Sequence, residues 1–258
     1  MKVVTKMPNN FNITLNPDFK NCHHFCESIE KHFAEEENSL HKARNEIKKI
    51  SCQEHSIVVK SFKIPHLLNR LVYTYFRGSK AQKSYDNAVR LQTLGITTPE
   101  PIAVIKELTP TLHKSYFLSV AFEYDYTLNR PLREENFFHK KQLFQAFARY
   151  SAQLHDKGVL HNDYSQGNIL IKEDGDDYIF SIVDINRMVF KTLTLEERYN
   201  NFSRLWADEE ILHIIAVEYA KVTGFNKEEA VREIYNYDQK HKAFKNFKRK
   251  LKSFKGTV

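Results

Sequence analysis

The chain has 258 residues, 41% hydrophobic and 28% charged, with 39 Lys and Arg against 32 Asp and Glu. Its apolar content and 33 aromatic residues exclude a disordered chain. No apolar run approaches the roughly 18–20 residues of a membrane span. Eight of the basic residues lie between Gln239 and Val258, where there is no acid, so residues 1–238 carry 31 basic and 32 acidic side chains. The body is therefore near neutral, and the net +7 belongs to a tail. Nucleic-acid binding is disfavoured, because the body has neither a matching basic surface nor a known module.

Residues 1–19 contain no apolar h-region and do not read as a secretory signal. Cys22, Cys26 and Cys52 are too few for a disulfide framework and fit a reduced, cytoplasmic setting. Cys22-His-His-Phe-Cys26 offers four potential zinc ligands. Adjacent histidines cannot easily face one tetrahedral ion, so these read as ordinary surface and core residues.

Phe25–Phe33 and His41–Ser51 read as β-like runs flanking the polar stretch Ala34–Ser39. His55–Phe62 alternates apolar and polar residues as a half-buried strand does. Pro65 opens a helical stretch through Phe76. A second helix spans Ser79–Leu94, with Ser79 as N-cap and Gly95 as its stop. Pro99 and Pro101 exclude helix, and Ile102–Ile105 and Tyr116–Phe122 read as strands. After the acidic, hinge-like stretch 123–126 the chain turns helical. Lys140–Lys157 places Leu143, Phe147, Tyr150 and Leu154 at helical spacing and ends at Gly158. Asn168–Lys172 and Tyr178–Val183 form a hairpin across the turn ending at Asp177. Beyond Leu195 the pattern is helical, broken at Gly224. The expected architecture is a bilobal α+β protein: an antiparallel-sheet lobe (1–123), a mainly helical lobe (124–238) and a basic amphipathic tail (239–258).

The segment Val159-Leu-His-Asn-Asp-Tyr-Ser-Gln-Gly-Asn-Ile-Leu-Ile171 carries the chemistry, followed by Asp184 in Phe180-Ser-Ile-Val-Asp-Ile-Asn-Arg187. Phosphoryl transfer from ATP needs a carboxylate to orient and deprotonate the attacking hydroxyl, and oxygen ligands to hold Mg²⁺ against the phosphates. The pattern H-x-D-x-x-x-x-N, with an Asp ending the next strand, supplies them. Asp163 is the expected base, His161 the residue that orients its loop, and Asn168 and Asp184 the metal ligands. Lys60, in an apolar strand, is the expected contact to the α- and β-phosphates. Asp86, the one acid on the 79–94 helix, is its candidate partner, and Glu123 completes the cofactor-binding set.

The loop His161–Asn168 and the element Asp184-Ile-Asn-Arg187 resemble the lipopolysaccharide kinase family, the 3-deoxy-octulosonic acid (Kdo) and heptose kinases. So do Val58-Val-Lys-Ser-Phe62 and the segments Arg77–Ala81 and Leu94–Pro101. The resemblance spans about residues 27–220. It implies a protein-kinase-like fold and ATP-dependent phosphorylation of a sugar hydroxyl in the inner core of a lipid-anchored glycan. The chain departs from kinase patterns in three places. The expected glycine-rich loop falls on Ala34–Ser39, which has three glutamates and no glycine. Asn162 replaces the arginine that reads a phosphorylated activation loop, and Asp184-Ile-Asn replaces Asp-Phe-Gly. The alternatives are a small-molecule kinase of the aminoglycoside or choline type, and a non-catalytic pseudokinase scaffold at the membrane.

Arg70, Arg77, Lys80 and Lys83 form a basic set suited to a phosphorylated glycolipid or to a solvated helix face. In the tail, Phe244, Phe247, Leu251 and Phe254 interleave with lysines and Arg249, giving an apolar stripe beside a cationic face. This suits peripheral attachment to an anionic membrane, the inner face of the inner membrane for this family. The stripe would equally suit packing on the second lobe.

Overall fold

The computed structural model describes residues 3–6, 11–43, 45–64, 66, 78–109 and 111–255. The Pro65–Phe76 helix, with Arg70, and Arg77 beyond it, lie outside the described residues, apart from His66. The chain forms two compact units, Met1–Glu123 and Tyr124–Val258.

In the first unit seven strands form one sheet: β1 (Val3–Lys6), β2 (Phe11–Leu15), β3 (Ser39–Lys42), β4 (Glu46–Cys52), β5 (His55–Phe62), β6 (Pro101–Leu108) and β7 (Leu112–Val120). Their order is β1-β2-β6-β7-β5-β4-β3, and every pairing is antiparallel. β6 is buried at five successive positions, Pro101–Ile105, as a central strand covered on both faces must be. Helix α3 (Lys80–Thr93) packs across β5, β6 and β7 and buries Ala81, Tyr85, Ala88 and Leu91. The Ser79 hydroxyl accepts the Gln82 N–H, and Gly95 takes φ +64° just past the end, so cap and stop act as the sequence suggests.

The β-like reading of Phe25–Phe33 is corrected: residues 23–35 are helical, as α1 (His23–Glu27) and α2 (Ile29–Glu35). Cys22, Phe25, Cys26 and Ile29 are buried at helical spacing in one cluster with Ile13, Ile57 and Leu118 of the sheet. Cys22 lies 3.8 Å from Cys52, sulfur to sulfur, in the same core. Burial pushes the Cys22 and Cys26 thiols up to about 12, and no group of three or more metal-binding side chains occurs among the described residues. His23 and His24 pair instead with Glu27.

Ala34–Ser39 is likewise not a loop between strands. Ala34 and Glu35 finish α2, and Ser39 opens β3. Lys48, only 7% exposed, closes this helix end by donating to the Phe33 carbonyl at 2.8 Å and the Glu36 carbonyl at 2.6 Å. β3 ends at Lys42 and β4 begins at Glu46, and the three residues between them in the sequence include no acid.

In the second unit, α5 (Lys140–Asp156) packs on α7 (Glu209–Thr223), which packs on α8 (Lys227–Lys255). Helices α4 (Asn129–Arg133) and α6 (Leu195–Asn201) complete it. Its core holds Phe144, Phe147, Tyr164, Tyr199, Phe202 and Tyr219. Two small sheets carry the polar residues of interest. One orders β11 (Asp177–Ile182), β10 (Ile169–Asp174) and β8 (Tyr126–Thr127); the other pairs β12 (Met188–Phe190) with β9 (Val159–His161).

The cationic run 239–258 is not a separate element: α8 continues through it unbroken to Lys255. Asp238 is fully buried in this helix, four residues before the contact that ties it to the body. It pairs with Lys242 at 2.6 Å, and Lys242 also donates to the Ala207 carbonyl at 2.6 Å. From Ala243 onward every residue with a described side chain is exposed, including Phe244, Phe247 and Leu251. Among the described residues, no helix is long and apolar enough to cross a membrane.

Candidate active site

The antiparallel register of β10 and β11 pairs Ile169 with Ile182, which sets Asn168 and Val183 opposite each other at one end of the hairpin. The Val183 N–H donates to the Asn168 carbonyl at 3.0 Å. Asp184 follows directly, in the left-handed region at φ 55°, ψ 43°, and accepts a 2.6 Å hydrogen bond from the Asn186 amide. Such a conformation costs a non-glycine residue on the order of 1–3 kcal/mol, and short polar side chains tolerate it best.

The loop before the hairpin is tied to both of its strands. Asp163 donates its backbone N–H to Nδ1 of His161 at 3.0 Å, and Nε2 of His161 donates to the Val183 carbonyl at 2.9 Å. One imidazole nitrogen accepts and the other donates, so the ring is neutral. Burial, at 1% exposure, lowers its pKa in the same sense. Asn168 donates its amide to the Asp163 carbonyl at 2.9 Å, which leaves its side-chain oxygen as the group available to a ligand. His161, Asp163, Asn168 and Asp184 thus meet at one edge of the second unit. Lys60, Asp86 and Glu123 belong to the first. Lys60 lies on β5 opposite Ile47 and Phe117, with its ammonium 5.4 Å from the Phe62 ring centroid. Asp86 accepts from Gln82 on α3, and Glu123 is an exposed partner of Lys49 at 3.3 Å.

The strand leading into this edge requires Gly158. Its φ is +70°, and a Cβ there would lie 2.6 Å from the Lys191 carbonyl oxygen, where β12 ends against β9. A glycine at this point is a consequence of two backbones meeting, besides stopping α5.

The sequence model of the lipopolysaccharide kinase (Kdo/WaaP) family matches residues 64–223, a span that includes His161, Asp163, Asn168 and Asp184. The chain belongs to this family. It is a kinase by that membership, and its fold is the α+β, protein-kinase-like one expected from the sequence. A solved structure described as WaaP in complex with acyl carrier protein aligns with a TM-score of 0.63 at 16% identity. The alignment covers 90% of this chain and 98% of that one, a likeness of fold. Among curated proteins none matches the chain.

Sequence reasoning missed the residues that hold the family's loop from behind. Asn201, 5% exposed at the end of α6, donates to the His161 carbonyl at 3.0 Å. Its side-chain oxygen accepts from Nε2 of His155 on α5 at 3.1 Å, and Nδ1 of His155 accepts from the Tyr219 hydroxyl on α7 at 2.8 Å. Three helices are thereby joined to the loop through one buried chain of hydrogen bonds. Burial takes the pKa of His155 down to about 4, so the ring is neutral near pH 7. Tyr164, beside Asp163 and fully buried, shares a 2.9 Å hydrogen bond with Ser151 of α5. None of these contacts has a local sequence signal: Asn201 lies 40 residues from His161 and Tyr219 lies 64 from His155.

Proposed function

We propose that the protein transfers the γ-phosphoryl group of ATP to a sugar hydroxyl, of Kdo or heptose, in the inner core of lipopolysaccharide. The observation that carries this reading is the convergence of Asp163, Asn168 and Asp184 in a chain of this kinase family. Asp163 accepts the acceptor's proton as its oxygen attacks the γ-phosphorus and ADP leaves. His161 keeps the Asp163 backbone in place, and Asn201 keeps the His161 backbone in place. Asn168 and Asp184 present an amide oxygen and a carboxylate, hard oxygen donors of the kind Mg²⁺ takes. Mg²⁺ bound there would offset charge on the phosphates.

Lys60, with Asp86 as its candidate partner, serves the α- and β-phosphates, and the hinge stretch that begins at Glu123 serves the nucleotide base. The corrected position of the β3–β4 turn supports nucleotide binding. The three glutamates of residues 35–37 lie in the α2 end and the connector to β3, and the sequence between β3 and β4 includes no acid before Glu46. The distal half of α8 serves as a peripheral anchor on an anionic membrane, its exposed Phe244, Phe247 and Leu251 entering the interface beside lysines.

Mass spectrometry of the lipopolysaccharide core from cells with and without the protein tests the function. The expected result is one phosphate (about 80 Da) fewer on a core sugar in its absence. Cores identical in phosphate content would reject the reading.

A further inference from the structure

Arg187 stands beside the proposed base and has no assigned task. Its backbone is fixed from three sides. Asn162 donates its amide to the Arg187 carbonyl at 2.9 Å, the turn Ile185–Arg187 follows directly from Asp184, and the next residue, Met188, pairs with His161 in the β9–β12 ladder. The asparagine that replaces the usual loop arginine therefore positions another arginine, three residues beyond Asp184.

The Arg187 side chain is 56% exposed, and one of its terminal nitrogens lies 4.0 Å from Oδ2 of Asp163. That distance is an ionic contact and too long for a hydrogen bond. Arg130, Arg149, Arg198 and Arg232, by contrast, hydrogen-bond their carboxylates at 2.6–2.9 Å. Arg187 has spent none of its five N–H donors on Asp163, and it holds them at the mouth of the catalytic edge. A planar guanidinium with open donors matches a carboxylate or phosphate in a two-point contact.

We propose that Arg187 binds an anionic substituent, carboxylate or phosphate, of the acceptor, so that the protein selects an acidic sugar and presents its hydroxyl to Asp163. This rests on the reading of Asp163 as the base of a sugar kinase. The 4.0 Å gap, with a hydrogen bond of about 2.8 Å at each end, limits the acceptor's hydroxyl and anion to roughly 10 Å apart. Both groups then sit on one sugar or on neighbouring sugars.

Steady-state kinetics with Arg187→Gln and Arg187→Lys test this, using purified core glycolipid, its carboxyl-reduced form and its dephosphorylated form. Because Arg187 is exposed, both variants should fold, which thermal unfolding checks. The expected result is an acceptor KM raised at least tenfold in Arg187→Gln, an intermediate rise in Arg187→Lys, and an unchanged KM for ATP. The wild type should lose the same factor on whichever modified acceptor lacks the recognised anion, and Arg187→Gln should not distinguish that acceptor from the native one. A raised KM for ATP with the acceptor KM unchanged would place the cation on the nucleotide and overturn the proposal. So would equal use of all three acceptors by the wild type. Should the wild type phosphorylate none of them, the sugar-kinase reading fails as well, an outcome distinct from loss of selectivity alone.

Discussion

The edge that carries Asp163, Asn168 and Asp184 and the distal half of α8 lie in the same unit and are built in opposite ways. At the edge, polar groups are committed to one another: His161 to Val183, Asp163 to His161, Asn168 to Asp163, and Asn201 to both His155 and His161. From Ala243 onward every described side chain of the helix is exposed, and its largest apolar ones are 46–60% exposed. Buried, fully paired polar networks fix geometry, which phosphoryl transfer requires. Exposed apolar surface on a cationic helix does the reverse and leaves binding energy unspent for a partner. One region is fixed by its internal pairing and the other leaves its apolar side chains uncovered.

That contrast can be broken at several points. The largest effect should come from Asp184→Gly. Glycine adopts φ 55° without strain, so the variant should unfold at a denaturant concentration no lower than the wild type's. Its turnover should fall on the order of 10³-fold, about 4 kcal/mol of barrier. If stability and turnover fall together, Asp184 is a structural residue.

Acid should weaken the edge next. His155 titrates at about 4 when folded and at roughly 6.5 when unfolded, so between these values the unfolded chain binds more protons. The stabilisation is complete above about pH 6.5 and is lost as pH falls towards 4, by on the order of 3 kcal/mol. Burial shifts His161 in the same direction. Urea unfolding across this window measures the loss, and a flat profile would mean that the Tyr219–His155–Asn201 chain is not held dry.

The smallest effect on folding should come from the helix end. Replacing Phe244, Phe247 and Leu251 together by Ser should change unfolding free energy by no more than about 0.5 kcal/mol. Sedimentation with anionic vesicles should lose the protein entirely. Retained vesicle binding would remove the proposed anchor, and a large stability loss would mean that the stripe packs on the body.

The two regions were unequally legible in the sequence. The hairpin 169–182 and the helix 80–93 follow from alternation, capping and turn residues, all local signals. The helical stripe Cys22, Phe25, Cys26 and Ile29 was also present, but Phe25, Ile29 and Phe33 are residue types favoured in strands. β1 and β2 escaped reading because β2 is fixed by pairing with β6, Ile13 opposite Ile105, across some ninety residues. Within the site, His161, Asp163, Asn168 and Asp184 were visible because their spacing is set by one loop and one hairpin. Asn201, His155 and Tyr219 were not, since helix packing alone brings them together. Whether the Phe stripe of the last helix was packed or exposed depends on where the helix leaves the body, just past the Lys242 contact to Ala207, which periodicity cannot reveal.

The most direct test of the central claim is transfer of label from γ-labelled ATP to purified core glycolipid by the wild type and by Asp163→Ala, both checked for folding by circular dichroism. The wild type should label a core sugar in a Mg²⁺-dependent reaction, and the folded variant should lose at least 10³-fold. Labelling at the wild-type rate by Asp163→Ala would contradict that claim.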